Sequence, residues 1–434
     1  MKYKSILSGF AALAALVSSA SAVTIDITGA TAFRTASIDS IIAAYGAGLT
    51  DFAHVGASAG LASIRGARQS IFTGTFPGLT GTTIIRCTWT GSVDGVRTVA
   101  GTAGLGETQD FLPVTALASA GAGNDTTAVS GVTGTYGVAT GTDLVVPDLA
   151  FSDSFPANSP YNVSNLTNAQ VGITVFVPMV NEGSPTGLTN VQEHQLRTMY
   201  GTGVQPINYL FPTTDARNVY ATGRSDFSGT RTIYLSEIGY GASNTVQQHK
   251  PVSNGASASA ATLAISTLQI WPTNDGTNKS LVWTGGVDTL GNGGFESSSS
   301  LRTIFGATST AVQRKNSAGA NLGSPVNLLL LAVFGISDAT TAQTNGAKAL
   351  SYNGVSITPA EPLSATDKAK ITQGAYTFWS YQHLMYNNTN ADVADVAVVH
   401  AQLVTDVPAN IGTAGIPQAD MAVSRADDSA TVAP

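Results

Sequence analysis

The sequence predicts an α/β protein built on a largely parallel sheet. Alternating or continuous apolar runs, such as "VTIDITG" (23–29) and "VGITVFVPMVN" (171–181), read as strands. Between them lie segments whose apolar residues fall three and four apart, such as Ile38, Ile41, Ile42 and Tyr45. Glycine-containing turns join the two kinds of segment, and that alternation marks the class.

In "VTIDITG", Val23, Ile25 and Ile27 alternate as in a strand; the next segment is a helix that Gly46 can close. "TTIIRCTWTGSVDGVRTVAG" (82–101) predicts a strand through Trp89, a Gly91–Ser92 turn and a helix from about Val93. "DLVVPDLAFSDSF" (143–155) predicts one buried strand ending at Ser152–Asp153. The run 171–181 is almost wholly apolar, as in a strand covered on both faces. "LTNVQEHQLRTMYG" (188–201) predicts a helix capped by Thr189, with Gln192 completing a capping box and Leu196, Met199 and Tyr200 buried. A helix follows "GRSDFSGTRT" (223–232), with Tyr234 and Ile238 four apart. "VNLLLLAVFGI" (326–336) is too short to span a bilayer and reads as a buried element. The Gly/Thr/Ser/Ala tracts at 101–147 and 241–300 read as loops or β-rich insertions. The tail "DMAVSRADDSATVAP" (420–434) reads as a last strand and a polar end.

The chain has 434 residues, enough for one large domain or two ordinary ones, and 43% of them are hydrophobic. Residues 1–22 have the form of an export signal: Lys2 and Lys4, the apolar "ILSGFAALAALV", then "ASA" at 20–22. A periplasmic, secreted or cell-surface location is therefore expected, with no transmembrane segment in the mature chain. Without Lys2 and Lys4, 18 basic residues face 27 acidic ones, a net charge of −9 that argues against nucleic acid as a partner. Cys87 is the only cysteine, which rules out an intrachain disulfide and suits a small core residue.

Ligands of open α/β sheets bind beyond the carboxyl ends of the strands, where helices begin. Three such junctions here carry hydroxyls: Thr31, Ser92, and Ser228 with Thr230. Helix N-termini present free N–H groups and a positive dipole end, so several together favour an anion. Arg224 adds a planar fork suited to a tetrahedral oxyanion. A carboxylate such as Asp153 repels an anion unless a proton lies between them, which favours a protonated oxyanion. Asp226 is expected to pair with a neighbouring arginine and orient it.

In this order the motifs resemble those of periplasmic phosphate-binding proteins of ABC transporters. "GATAF" (29–33), "GSVDGV" (91–96), "SD" (152–153) and "RSDFSGT" (224–230) carry the likeness. "FVPMVN" (176–181), "YNGVSITP" (352–359) and "QGAYTFWSYQHLMY" (373–386) extend it over most of the chain. The resemblance implies a two-lobed type II periplasmic-binding fold, each lobe a mainly parallel sheet flanked by helices. Residues 23–173 plus 375–434 would form lobe one and 174–374 lobe two. It implies phosphate or a related oxyanion as ligand, no cofactor, no catalysis and an ABC transporter permease as partner. Thr31, the Ala32 backbone N–H, Ser92 and Asp153 would act from the first lobe. Arg224, Ser228, Gly229 and Thr230 would act from the second.

The chain departs from that pattern in two places. Ala32 intervenes between the Thr and the aromatic residue, and Arg34 stands where the family has proline. The spacing from Ser92 to Asp153 is also enlarged. The low share of charged residues, 11%, and the hydroxyl-rich insertions fit a different reading, a cell-surface or matrix protein that reuses the fold without transport. A third reading, a hydrolase, starts from "GASAG" (56–60) and requires a histidine and an acid within reach of Ser58. The five histidines show no metal-ligand spacing.

Overall fold

The computed structural model describes residues 22–101, 108–257, 262–272, 290–412 and 415–434. The export-signal reading of residues 1–22 falls almost wholly outside them, as do parts of both Gly/Ser/Thr tracts. Among the described residues, one sheet of 13 strands runs through the molecule. Its order is Val204–Pro206, Asn218–Ala221, Leu328–Gly335, Leu166–Val180, Trp379–Asn387, Leu149–Ser152, Val23–Gly29, Thr83–Thr88, Gln69–Gly74, Leu49–His54, Gly134–Tyr136 and Gly123–Asp125. The thirteenth, Lys348–Ala349, pairs beside Leu166–Val180.

The expected α/β class is the one found. Val23–Gly29 lies parallel to both its neighbours, Thr83–Thr88 and Leu149–Ser152, and Asn218–Ala221 lies parallel to Leu328–Gly335. Antiparallel pairs come from the long strands Leu166–Val180 and Trp379–Asn387, which join the two halves, and from the outer strands. Residues 171–180 are buried throughout, as their unbroken apolar run requires. A hydrophobic cluster including Leu196, Tyr234 and Leu330 serves one half; another, including Ile27, Ile41 and Phe151, serves the other.

Local expectations hold where the pattern is periodic. Ile38, Ile41 and Tyr45 are buried on helix Arg34–Tyr45, with Gly46 at its end. Two boundaries differ. The predicted strand 143–152 divides into Asp143–Val145 and Leu149–Ser152 around Pro147, which has no N–H to give a ladder. After the break, Asp148 Oδ2 accepts from the Asp26 N–H at 2.8 Å. The capping box of helix Glu193–Thr202 uses Gln192 and Gln195, not Thr189. The helix cannot start earlier because Asn190–Val191 pairs with Ser351–Tyr352. Leu196, Met199 and Tyr200 are fully buried as expected.

The described part of the 101–147 tract builds outward from the sheet. Gly123–Asp125 and Gly134–Tyr136 extend its edge beside Leu49–His54. Arg86 anchors the rest: it holds Asp26 through Nε at 2.6 Å and Nη2 at 2.7 Å, and Nη1 also reaches Asp143. Asp26 and Arg86 face each other across a parallel pair and are both buried. Removing the cation from a buried pair strands the anion, which costs about 3–5 kcal/mol. Arg86→Met is therefore expected to lower stability by about that amount in urea denaturation. The Asp26→Leu/Arg86→Met double variant should recover most of the loss.

Candidate functional site

Helices Ser92–Ala100 and Gly229–Glu237 start against each other, helix Ser298–Phe305 starts beside Arg224, and helix Ile336–Thr344 starts beside Ala32, just before helix Arg34–Tyr45. Each start is reached from a strand end or loop, and each leaves its first N–H groups without an intrahelical acceptor. Ser92 and Asp153 come from one half, Gly229 from the other, and the structure brings these three into direct contact. Ser92 Oγ donates to Asp153 Oδ1, and the Asp153 N–H donates back to Ser92 Oγ at 3.2 Å. Beside them the Val93 N–H, at the start of its helix, donates to Phe227 O at 3.2 Å.

The approach is close enough to require glycine. A Cβ on Gly229 would lie 1.6 Å from Asp153 Oδ1 and 2.6 Å from Ser92 Cβ. A Cβ on Gly91 would lie 2.8 Å from Phe227 O, and Gly91 also takes a φ of +128°. Asp153 is 2% exposed. Burial raises its pKa, while the Ser92 hydroxyl and the positive charge of Arg224 oppose the rise. An acid so placed holds a proton more readily than a surface aspartate and can share it with an oxyanion.

Arg224 is also 2% exposed and is held firmly from behind. Its Nε donates to Phe295 O at 3.0 Å, its Nη2 to Glu296 O at 2.7 Å, and its Nη1 to Ser298 Oγ. Burial depresses its pKa; Asp338 and Asp153 push it back up. Arg224 is thus the buried cation nearest in effect to Asp153, with its guanidinium plane fixed by 295–298. Ser228 caps helix Gly229–Glu237 by position only: its buried Oγ has no hydrogen-bond partner among the described residues. Thr230 is buried one residue into the same helix. Asp226 is buried too, and acts on Tyr161 of the other half, whose hydroxyl pKa is raised first by burial and then by Asp226.

Thr31 and Ala32 stand apart from this contact. Both are half-buried in the turn before helix Arg34–Tyr45, and Ala32 Cβ faces Gly335, which caps helix Ile336–Thr344. The next residues hold a charge cluster that the motif reading missed. Arg302 Nη1 donates to Asp338 Oδ1 at 2.8 Å. Arg34 Nη1 donates to Ala67 O at 3.3 Å, and its buried Nε has no hydrogen-bond partner among the described residues. The Arg34 pKa is lowered to about 10 by burial, with Asp338 opposing the fall and Arg302 adding to it. The one available signal was the arginine in the family's proline position.

The hydrolase reading fails on geometry. A histidine and an acid do lie near "GASAG": His54 Nε2 meets Asp125 Oδ2 at 3.2 Å. Its Nδ1, however, already accepts from the Gly56 N–H at 3.1 Å, so neither ring nitrogen is left for Ser58. Asp125 also accepts from the Gly60 N–H at 2.8 Å, which makes the pair a loop anchor. Cys87 is fully buried, and burial raises its pKa far above the reactive range. His383 lies among Phe155 and Tyr381 and is driven down to about 3 by burial. No group of acids, histidines and cysteine among the described residues could hold a metal ion.

Among solved structures, the chain is similar to an ABC-type phosphate transport receptor from Vibrio cholerae. Identity is 12%, with 87% of this chain and 93% of that chain covered at a TM-score of 0.41. It is similar to PstS from Borrelia burgdorferi at 11% identity, covering 89% and 97%, with a TM-score of 0.35. A phosphate-binding protein from Stenotrophomonas maltophilia gives 15% identity, 92% and 90% coverage, and a TM-score of 0.36. The expected likeness to phosphate receptors is the one found. No family model matches the chain, and no curated protein does.

Proposed function

We propose that this chain is an exported, non-enzymatic solute-binding protein that captures phosphate or a related tetrahedral oxyanion between two lobes. Lobe one comprises 23–173 plus 375–434, lobe two 174–374, and Leu166–Val180 and Trp379–Asn387 run between them as the hinge. One observation carries the reading: Ser92 and Asp153 of one half meet Gly229 of the other, with Arg224 buried behind them. Helix starts supply N–H donors, Ser92 and Ser228 supply hydroxyls, and Arg224 supplies charge in a region of low dielectric. Asp153, raised by burial, takes the place opposite a protonated oxygen. Thr31 and the Ala32 N–H, which stand apart from that contact, are proposed as further ligand donors on the motif resemblance alone.

Ligand entry requires Gly229 to draw back from Asp153, because the two are in contact. The motion is a hinge opening of the kind that long connecting strands allow. An ABC transporter permease is the proposed recipient of the ligand. No described helix is long and apolar enough to cross a membrane. The described part of the 101–147 tract extends the far edge of the sheet and also reaches the first turn of helix Ser92–Ala100, where Gln109 Nε2 donates to Asp94 Oδ2.

The test is a thermal-shift titration with inorganic phosphate. Phosphate at one hundred times its Kd should stabilise the chain by about 2.7 kcal/mol and raise its melting temperature. The Ser92→Ala variant should show a smaller shift at the same concentration. A melting temperature indifferent to phosphate at millimolar concentration would count against the proposal and favour the surface-scaffold reading.

A further inference from the structure

Gln382, in the second hinge strand Trp379–Asn387, is fully buried. Neither Nε2 nor Oε1 of its amide has a hydrogen-bond partner among the described residues. An amide carries two donors and an acceptor with two lone pairs, so both kinds of capacity are open here. Buried polar groups in native proteins are nearly always paired, and each exception calls for an explanation. The place of this amide in the fold supplies one.

The register puts Gln382 level with the proposed site. Its strand runs antiparallel to Leu149–Ser152, with Leu384 opposite Phe151 and His383 opposite Ser152. The next residues on the two strands are Gln382 and Asp153. On its other side Gln382 lies opposite Gly172, where the register shifts between Gln170 and Gly172. Irregularities of this kind re-aim side chains and are over-represented next to functional sites.

The neighbours show which face the side chain takes. Side chains alternate along a strand, so Gln382 shares a face with Leu384 and not with Tyr381 or His383. Leu384 packs in the cluster that holds Phe33, Phe151 and Ile411, whereas Tyr381 and His383 meet Phe155 on the opposite face. A Cβ on Gly172 would lie 2.2 Å from Ile411 Cδ1 and 3.2 Å from Phe33 Cζ, so the Phe33 ring comes down beside the Gln382 strand. The turn that leads to Phe33 begins beside Phe151, where the Ala30 N–H donates to Phe151 O at 2.8 Å. Between Phe151 and Gly172 lies only the strand of Gln382. The amide is therefore under the path of the turn that carries Thr31 and Ala32, with Asp153 on the adjacent strand.

We infer that Gln382 is a further ligand-binding residue, its amide meeting the oxyanion between Asp153 and the Thr31–Ala32 turn. The inference rests on the oxyanion reading of that site and adds a neutral group to it. A neutral amide suits hydrogen phosphate. Its N–H groups donate to the charged oxygens, its carbonyl oxygen accepts from the P–OH, and it brings no charge to repel the anion.

The experiment is calorimetric titration with inorganic phosphate, run beside urea denaturation in phosphate-free buffer, on the parent and on Gln382→Met. Methionine is unbranched, adapts to irregular space and needs no hydrogen bond there. The variant is expected to lose about tenfold in affinity, the effect of one good hydrogen bond. Its stability without phosphate should equal or exceed that of the parent, because an unpaired amide leaves the core. If it does not fold, Gln382→Leu is read in the same way. Parental affinity in the folded variant overturns the inference and leaves the phosphate reading standing. Failure of both variants to fold, or an affinity loss matched by a loss of phosphate-free stability, marks the amide as structural and also overturns it. No phosphate binding by the parent itself overturns both readings.

Discussion

Arg224→Ala is expected to abolish measurable oxyanion binding and to destabilise the fold by about 3–5 kcal/mol. The guanidinium is 2% exposed, and its removal leaves the Phe295 and Glu296 carbonyls and the Ser298 hydroxyl without their donors. Buried acceptors deprived of a partner keep their full desolvation cost. Asp153 also loses the cation that opposes its burial. Lysine at 224 would restore a charge but not the fixed fork, so Arg224→Lys should recover part of the stability and little of the affinity. Urea denaturation and calorimetric titration of the two variants separate these effects. Near-parental binding by Arg224→Ala would remove Arg224 from the site.

Gly229→Ala is expected to lower both stability and affinity, against the sign that helix propensity alone would give. Alanine is favoured over glycine in a helix by about 1 kcal/mol, so a substitution in free space would stabilise. Here the new methyl would lie 1.6 Å from Asp153 Oδ1, and that carboxylate is tied to Ser92. Overpacking of this kind costs about 1–3 kcal/mol, and the relief available is to push the halves apart. An affinity loss of about tenfold corresponds to only 1.4 kcal/mol, well within that strain. A more stable variant with unchanged affinity would show that Gly229 and Asp153 do not approach as described.

The elements with a strong internal period were legible in the sequence. Ile38, Ile41 and Tyr45 mark a buried helix face, and residues 171–180 mark a strand covered on both sides, because burial imposes its period on neighbouring residues. Boundaries set by distant chain segments were not. The cap of helix Glu193–Thr202 moved from Thr189 to Gln192 because of a pairing with Ser351–Tyr352, which no local pattern encodes.

The site divides in the same way. Ser92, Asp153 and Gly229 stood out because turn chemistry and motif order are local properties. The residues that hold Arg224 lie at 295–298, inside a serine-rich tract with no periodic signal. Arg302 and Asp338 escaped notice because each looks like an ordinary surface charge in the sequence, and Arg34 stood out only as a departure from the family's proline. The tail escaped for a related reason. "SRADDS" (424–429) has the composition of a solvated end, and only the fold reveals that Arg425 and Asp428 are buried.

Isothermal titration of the mature chain, stripped of ligand, with inorganic phosphate and then with sulfate tests the central claim most directly. A single site of micromolar or tighter affinity for phosphate is expected, with sulfate weaker because it offers Asp153 no proton to share. No heat from either anion, in a sample shown to be folded, would contradict an oxyanion site at Ser92, Asp153, Arg224 and Gly229.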